Sequence, residues 1–140
     1  MNRMKEGFTL IDSLSIPSEL NNLPVVESMI DKACQTIGID EDMYGNVLIA
    51  VTEAVNNAII HGNAMHTSKE VKLEFYETSD GFGFRICDEG KGFDHGHLPD
   101  PTAPENIEKE NGRGIFLMRN LADEVSFNDS GNEVNVFFNK

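Results

Sequence analysis

From Pro24 to His61 the apolar residues of this chain recur at helical spacing, and from Val71 to Cys87 they switch to alternation. Val25, Val26, Met29, Ile30, Ala33, Cys34 and Ile37 form a first stripe, with Gly38 as its stop. A second helix is predicted from about Asp40–Asp42, whose carboxylates suit an N-terminus, through Val47, Leu48, Val51, Ala54, Val55, Ala58 and Ile59 to about His61. Gly62-Asn63 ends it. Val71–Glu77 and Gly83–Cys87 read as strands joined by a Ser79-Asp80-Gly81 turn. Phe8–Ile16 reads as an edge strand ended by Ser15–Pro17. A short helix over Ile115–Leu121 and strands near Glu124–Asn128 and Glu133–Phe138, with a Ser130-Gly131 turn, complete the set. Helices and strands segregate instead of alternating one by one. The expected fold class is therefore α/β, a two-layer sandwich with a mixed, mostly antiparallel sheet covered on one face by helices.

The 140 residues, without an internal repeat or low-complexity linker, are expected to form one domain over 1–140. A formal charge of −13 argues against non-specific binding to nucleic acid or to an anionic membrane. It also means that any polyphosphate needs Mg²⁺ and backbone N–H groups to offset repulsion. Cys34 and Cys87 show no metal or redox spacing and read as small buried residues in a reducing compartment. The N-terminal segment carries no apolar run long enough for a signal peptide, and no stretch is long enough to span a bilayer. A cytoplasmic location is expected.

Three short segments carry candidate chemistry. Glu53 and Asn57 lie four apart and project from one helix face. An amide oxygen at Asn57 suits Mg²⁺ when phosphates and water complete the shell, and a carboxylate one turn earlier suits deprotonation of a hydroxyl. Alone, such a pair is common on a solvated helix surface. Asp88-Glu89-Gly90-Lys91-Gly92-Phe93 follows a strand. Asp88 can accept a hydrogen bond from an exocyclic amine, and Gly90 and Gly92 allow close backbone approach to a flat ring. Alone, this is a glycine-rich turn. Gly112-Arg113-Gly114 precedes the predicted short helix, where N–H groups and the Arg113 charge can hold phosphate. It is neither a Walker A loop nor a dinucleotide fingerprint. Between the last two, Asp94–Asn111 holds Pro99, Pro101 and Pro104 and little apolar periodicity. A loop of that length points to a functional lid. Asp94-His95-Gly96-His97 has a metal-like look without a partner cluster, and His61 reads as a cation at a helix C-terminus.

The order of these segments resembles the GHKL (Bergerat-fold) ATPase superfamily, and within it the anti-sigma factor serine/threonine protein kinases. Thr52-Glu-Ala-Val-Asn-Asn-Ala-Ile-Ile-His61-Gly, Gly112-Arg-Gly-Ile-Phe-Leu-Met118 and Leu121-Ala-Asp-Glu-Val125 carry the local wording, and the resemblance covers nearly the whole chain. It implies ATP and Mg²⁺ as cofactors, with Asn57 coordinating the metal and Glu53 acting as general base towards a protein serine. It implies Asp88 at the adenine amine, with Gly90 and Gly92 supporting the base pocket. Gly112, Arg113 and Gly114 would close on the phosphates. Asn111 stands where the family places a further glycine, which bears on lid geometry. The implied partners are a sigma factor and a serine-phosphorylated anti-sigma factor antagonist, with no nucleic acid, no membrane and a homodimer. The dimerisation helix of a sensor histidine kinase and the further domains of gyrase-like or chaperone-like relatives are not expected. The competing reading is a catalytically idle, ATP-dependent protein-binding module in the same kind of partner switch. A glycine-rich sandwich that binds no nucleotide would need three coincidences.

Overall fold

The computed structural model describes residues 7–63, 65–90, 110–128 and 132–139, with residues 110–115 as backbone only. Five strands form one sheet in the order β1-β2-β3-β5-β4: β1 Thr9–Pro17, β2 Glu70–Glu77, β3 Gly81–Cys87, β4 Glu124–Phe127 and β5 Glu133–Asn139. Every pairing is antiparallel, so the parallel component allowed by a mixed sheet is not found among the described strands. β1 takes the predicted edge position. Its register against β2 slips between Leu10 and Asp12.

Among the described residues three α-helices accompany the sheet: α1 Leu23–Ile37, α2 Glu41–Asn57 and α3 Glu110–Leu121. α1 starts with Pro24 in its first turn and ends at Gly38, whose φ of 82° lies in the left-handed region that glycine tolerates best. α2 is capped by Asp40, whose side chain accepts the Met43 N–H at 2.8 Å. Glu41 and Asp42 add negative charge to its first turn, where the helix dipole favours it.

Alternation along β2, β3 and β5 puts Val71, Leu73, Phe75, Phe82, Phe84, Ile86, Val134, Val136 and Phe138 on the side facing α1 and α2. Phe75 packs against Phe84 at 5.1 Å between centroids and against Phe82 at 6.3 Å. Val26, Ile30, Val47, Val51 and Val55 of the helices close this core from above. Each such side chain contributes about 1.5–3 kcal/mol on burial. Cys34 belongs to the core, and burial pushes its thiol up to about 11. Cys87 is half-buried on the other face, donating to Glu133 Oε1 at 3.3 Å. That face also holds the Tyr76 hydroxyl bonded to Asn135 Oδ1, and Arg85 paired with Glu74 at 2.6 Å. Gly83 leaves room there, since a Cβ at this position would lie 2.4 Å from the Tyr76 hydroxyl oxygen.

Two expectations change. The short helix begins at Glu110, five residues before Ile115, so Gly112-Arg113-Gly114 lies within α3 and does not precede it. Glycine inside a helix costs about 1 kcal/mol against alanine, but packing of a helix against its neighbours routinely overrides propensity. α3 packs along α2, and its Met118 is buried. The second change is at the end of α2. The sequence predicts a helix to about His61 with a stop at Gly62-Asn63; α2 ends at Asn57 and Ala58–Gly62 follows as a π-helical turn, closed by the Asn63 N–H on the Ala58 carbonyl at 2.8 Å. Lys91–Lys109, with Gly92 and most of the expected lid, and the Ser130-Gly131 turn lie outside the described residues.

Candidate nucleotide site

α2 carries Glu53 and Asn57 on one face, one turn apart, both half-buried. Both Asn57 amide atoms, Nδ2 and Oδ1, are sealed from solvent and have no hydrogen-bond partner among the described residues. The same holds for the Thr52 hydroxyl oxygen. Leaving one buried polar group unpaired costs about 1–3 kcal/mol, so an amide with both ends unpaired calls for a ligand. An orphaned neutral oxygen fits Mg²⁺, which takes few protein ligands and completes its shell with phosphate and water oxygens. Among the described residues no group of His, Cys, Asp and Glu side chains is arranged to hold a metal by itself.

Asp88 leaves β3 at the other end of this helix. Its N–H donates to the Asn132 carbonyl at 2.9 Å, and its Oδ1 accepts the Gly90 N–H at 2.8 Å. Burial pushes its carboxyl above the usual range, against the opposing pull of the Gly90 N–H and the Lys69 charge. The helix end and the Asp88 turn are in direct contact. A Cβ on Gly62 would lie 2.3 Å from Asp88 Oδ2, and one on Gly90 would lie 1.9 Å from the Gly62 carbonyl oxygen. Gly90 thus permits a close backbone approach, but the approach is to the end of α2 and not to a ring.

The π turn matters for this geometry. In a regular α-helix Gly62 would sit about 140° around the axis from Asn57, five residues earlier. Closure from i to i+5 reduces that offset and turns Gly62, with Asp88 on it, toward the Asn57 face. Along the axis the sequence is then Asp88, Asn57, Glu53, with Asn57 roughly 7 Å from Gly62 and Glu53 another ~6 Å on.

The structure therefore joins Glu53, Asn57, Asp88 and Gly90 through one helix. The backbone of Gly112, Arg113 and Gly114 lies on α3, which packs along that helix, while the Arg113 side chain and Gly92 lie outside the described residues. Gly62, Asn63 and Asn132 were missed as parts of the site. Gly62-Asn63 had the form of a helix stop, and nothing in its spacing links it to a turn 26 positions later.

A family profile described as a histidine kinase-like ATPase domain matches residues 16–138. The chain belongs to this family. Among its relatives, the serine-protein kinase RsbW of Oceanobacillus iheyensis is 27% identical over 122 residues, covering 83% of this chain and 77% of that protein. RsbW of Bacillus subtilis is 26% identical, covering 87% of this chain and 79% of that protein. RsbW of Staphylococcus epidermidis is 29% identical, covering 84% and 79%. A crystal structure of the RsbU and RsbW domains of Rv1364c from Mycobacterium tuberculosis superposes with a TM-score of 0.61 at 15% identity. It covers 92% of this chain, which spans 32% of that one, and the likeness is one of fold. The α/β sandwich read from the sequence is thus the fold of this ATPase family.

Proposed function

We propose that this chain is an ATP-dependent protein serine kinase that sequesters a sigma factor and phosphorylates a serine of an antagonist protein in a partner switch. The observation that carries the reading is the sealed, unpaired Asn57 amide one turn from Glu53, on a helix whose far end is packed against Asp88. Membership of the ATPase family and relatives named as serine-protein kinases support it.

Asp88 would accept the exocyclic amine of adenine, Asn57 Oδ1 would hold Mg²⁺, and the backbone of α3 at Gly112 and Gly114 would serve the phosphates. Bound Mg²⁺ neutralises charge on the phosphate oxygens. Glu53 takes the proton of the serine hydroxyl as its oxygen bonds to the γ-phosphorus and the bond to the bridging β–γ oxygen breaks, leaving ADP. Most of the catalysis is positioning and charge neutralisation, which a fixed helix supplies well. Gly90 would act on the base side of the site by letting the Asp88 turn seat on the end of α2. The single domain would act as a cytoplasmic homodimer. Its acidic surface would speed encounter with a partner that presents a basic face.

The test is transfer of labelled γ-phosphate to the antagonist protein by wild type and by Glu53→Ala. Transfer should fall by at least 100-fold in the variant while the Kd for Mg-ATP stays within about threefold. A variant that still phosphorylates its partner would remove Glu53 as the base. Wild type that binds both Mg-ATP and partner without transfer would favour the idle binding module instead.

A further inference from the structure

Asn63 is completely buried, and its side chain bonds to three separate segments. Nδ2 donates to Ser18 Oγ at 2.8 Å, just beyond β1, and to the Glu70 carbonyl at 3.0 Å, at the start of β2. Oδ1 accepts the Glu89 N–H at 2.7 Å, inside the turn that carries Asp88. Ser18 is itself fixed, donating its N–H and hydroxyl to the Lys69 carbonyl at 3.1 and 2.7 Å. One amide therefore ties the end of the helix bearing Glu53 and Asn57, the β1–β2 edge and the Asp88 turn into one body. Both of its functional ends are used, and neither faces a ligand.

We infer that Asn63 is a positioning residue for purine discrimination: by holding the Glu89 N–H, it fixes the Asp88 carboxylate where it can require an exocyclic amine on the base. The inference rests on the nucleotide reading proposed above. Asn63 acts through Glu89 and Asp88 and touches no substrate. Gly62 and Gly90 bring the two backbones together, but a contact between glycines sets distance and not the rotation of the turn. The directional bond from Asn63 fixes that rotation from the helix side, while Asn132 holds the turn from the β5 side through the Asp88 N–H at 2.9 Å and the Gly90 carbonyl at 3.3 Å.

The test compares binding of Mg-ADP with Mg-IDP, whose base lacks the amine. Wild type should prefer ADP by at least tenfold, the size of one hydrogen bond to a charged acceptor. Asn63→Ala should reduce that preference at least fivefold, because the turn no longer holds Asp88 in register. Ser18→Ala, which leaves the Glu89 bond in place, should lower the unfolding temperature but keep the preference. General loss of rigidity would not separate these two variants. Should Asn63→Ala not fold, the unaltered chain provides the reading, since ADP should shift the Asn63 side-chain amide resonances and IDP should leave them in place. A preference unchanged within twofold in Asn63→Ala, a collapse equal in Ser18→Ala, or amide resonances blind to ADP would each overturn the inference. Absence of ADP binding by wild type would remove the nucleotide reading itself, and this inference with it.

Discussion

Burial raises the Asp88 carboxyl above its ordinary value of 3.8, while the Gly90 N–H and the Lys69 charge pull it back. A raised carboxyl binds its proton more tightly in the folded chain than in the unfolded one. Its ionisation therefore costs stability as pH climbs through and beyond that range, and the cost is absent below it. Asp88→Asn keeps the shape and an acceptor for the Gly90 N–H but has nothing to ionise. Without ligand, Asp88→Asn should unfold at a higher temperature than wild type at pH 7, with the gap closing as pH falls below about 4. Thermal unfolding of both proteins from pH 3 to pH 8 checks this, and an Asn variant less stable at pH 7 would contradict it. A carboxylate kept at a stability cost is one kept for its charge. Glu53 and Asn57 were legible as a pair because a four-residue spacing has one meaning on a helix. The burial of Asp88 was not, because it depends on Gly62 arriving beside it.

At the scale of elements, the start of α2 and the end of α1 were written locally: Asp40 as cap, Gly38 as the left-handed stop. Asp40→Ala should cost about 1 kcal/mol, the usual worth of an N-cap acceptor. For a chain of this size that is a fall of roughly 3–5 °C in Tm, readable by calorimetry, and an unchanged Tm would mean the cap bond is solvent-compensated. The π turn at Ala58–Gly62 left no such mark. A change from i→i+4 to i→i+5 closure alters no residue type, and it is held by what Gly62 and Asn63 meet in other segments. α3 is the reverse case. Its glycines signal a break, and the helix extends through them to Glu110 while packing along α2. Local signals decide an element's limits only where no neighbour has a larger stake in them.

For the molecule as a whole, the site is assembled from one helix and one turn, so ligand binding should stabilise the whole fold. Mg-ADP at a hundredfold over its Kd should add about 2.7 kcal/mol, a rise of several degrees in Tm. The rise should need magnesium and should vanish in Asp88→Asn. A flat response in wild type at millimolar nucleotide would leave the sealed Asn57 amide without its ligand. The two-layer plan was legible because period, turn chemistry and order of elements agreed. The strand order was less so, since adjacency of β3 and β5 is decided by the sheet and not by any local pattern. That adjacency has a consequence in chain entropy. Cys87 and Glu133 are cross-strand partners separated by 46 positions. The cost of closing so long a connection grows only logarithmically, by roughly 0.6 kcal/mol for each doubling. The sheet is accordingly almost indifferent to how many residues run between these two strands, and a sequence spliced into that stretch would burden folding far less than a one-residue slip in the pairing it spans.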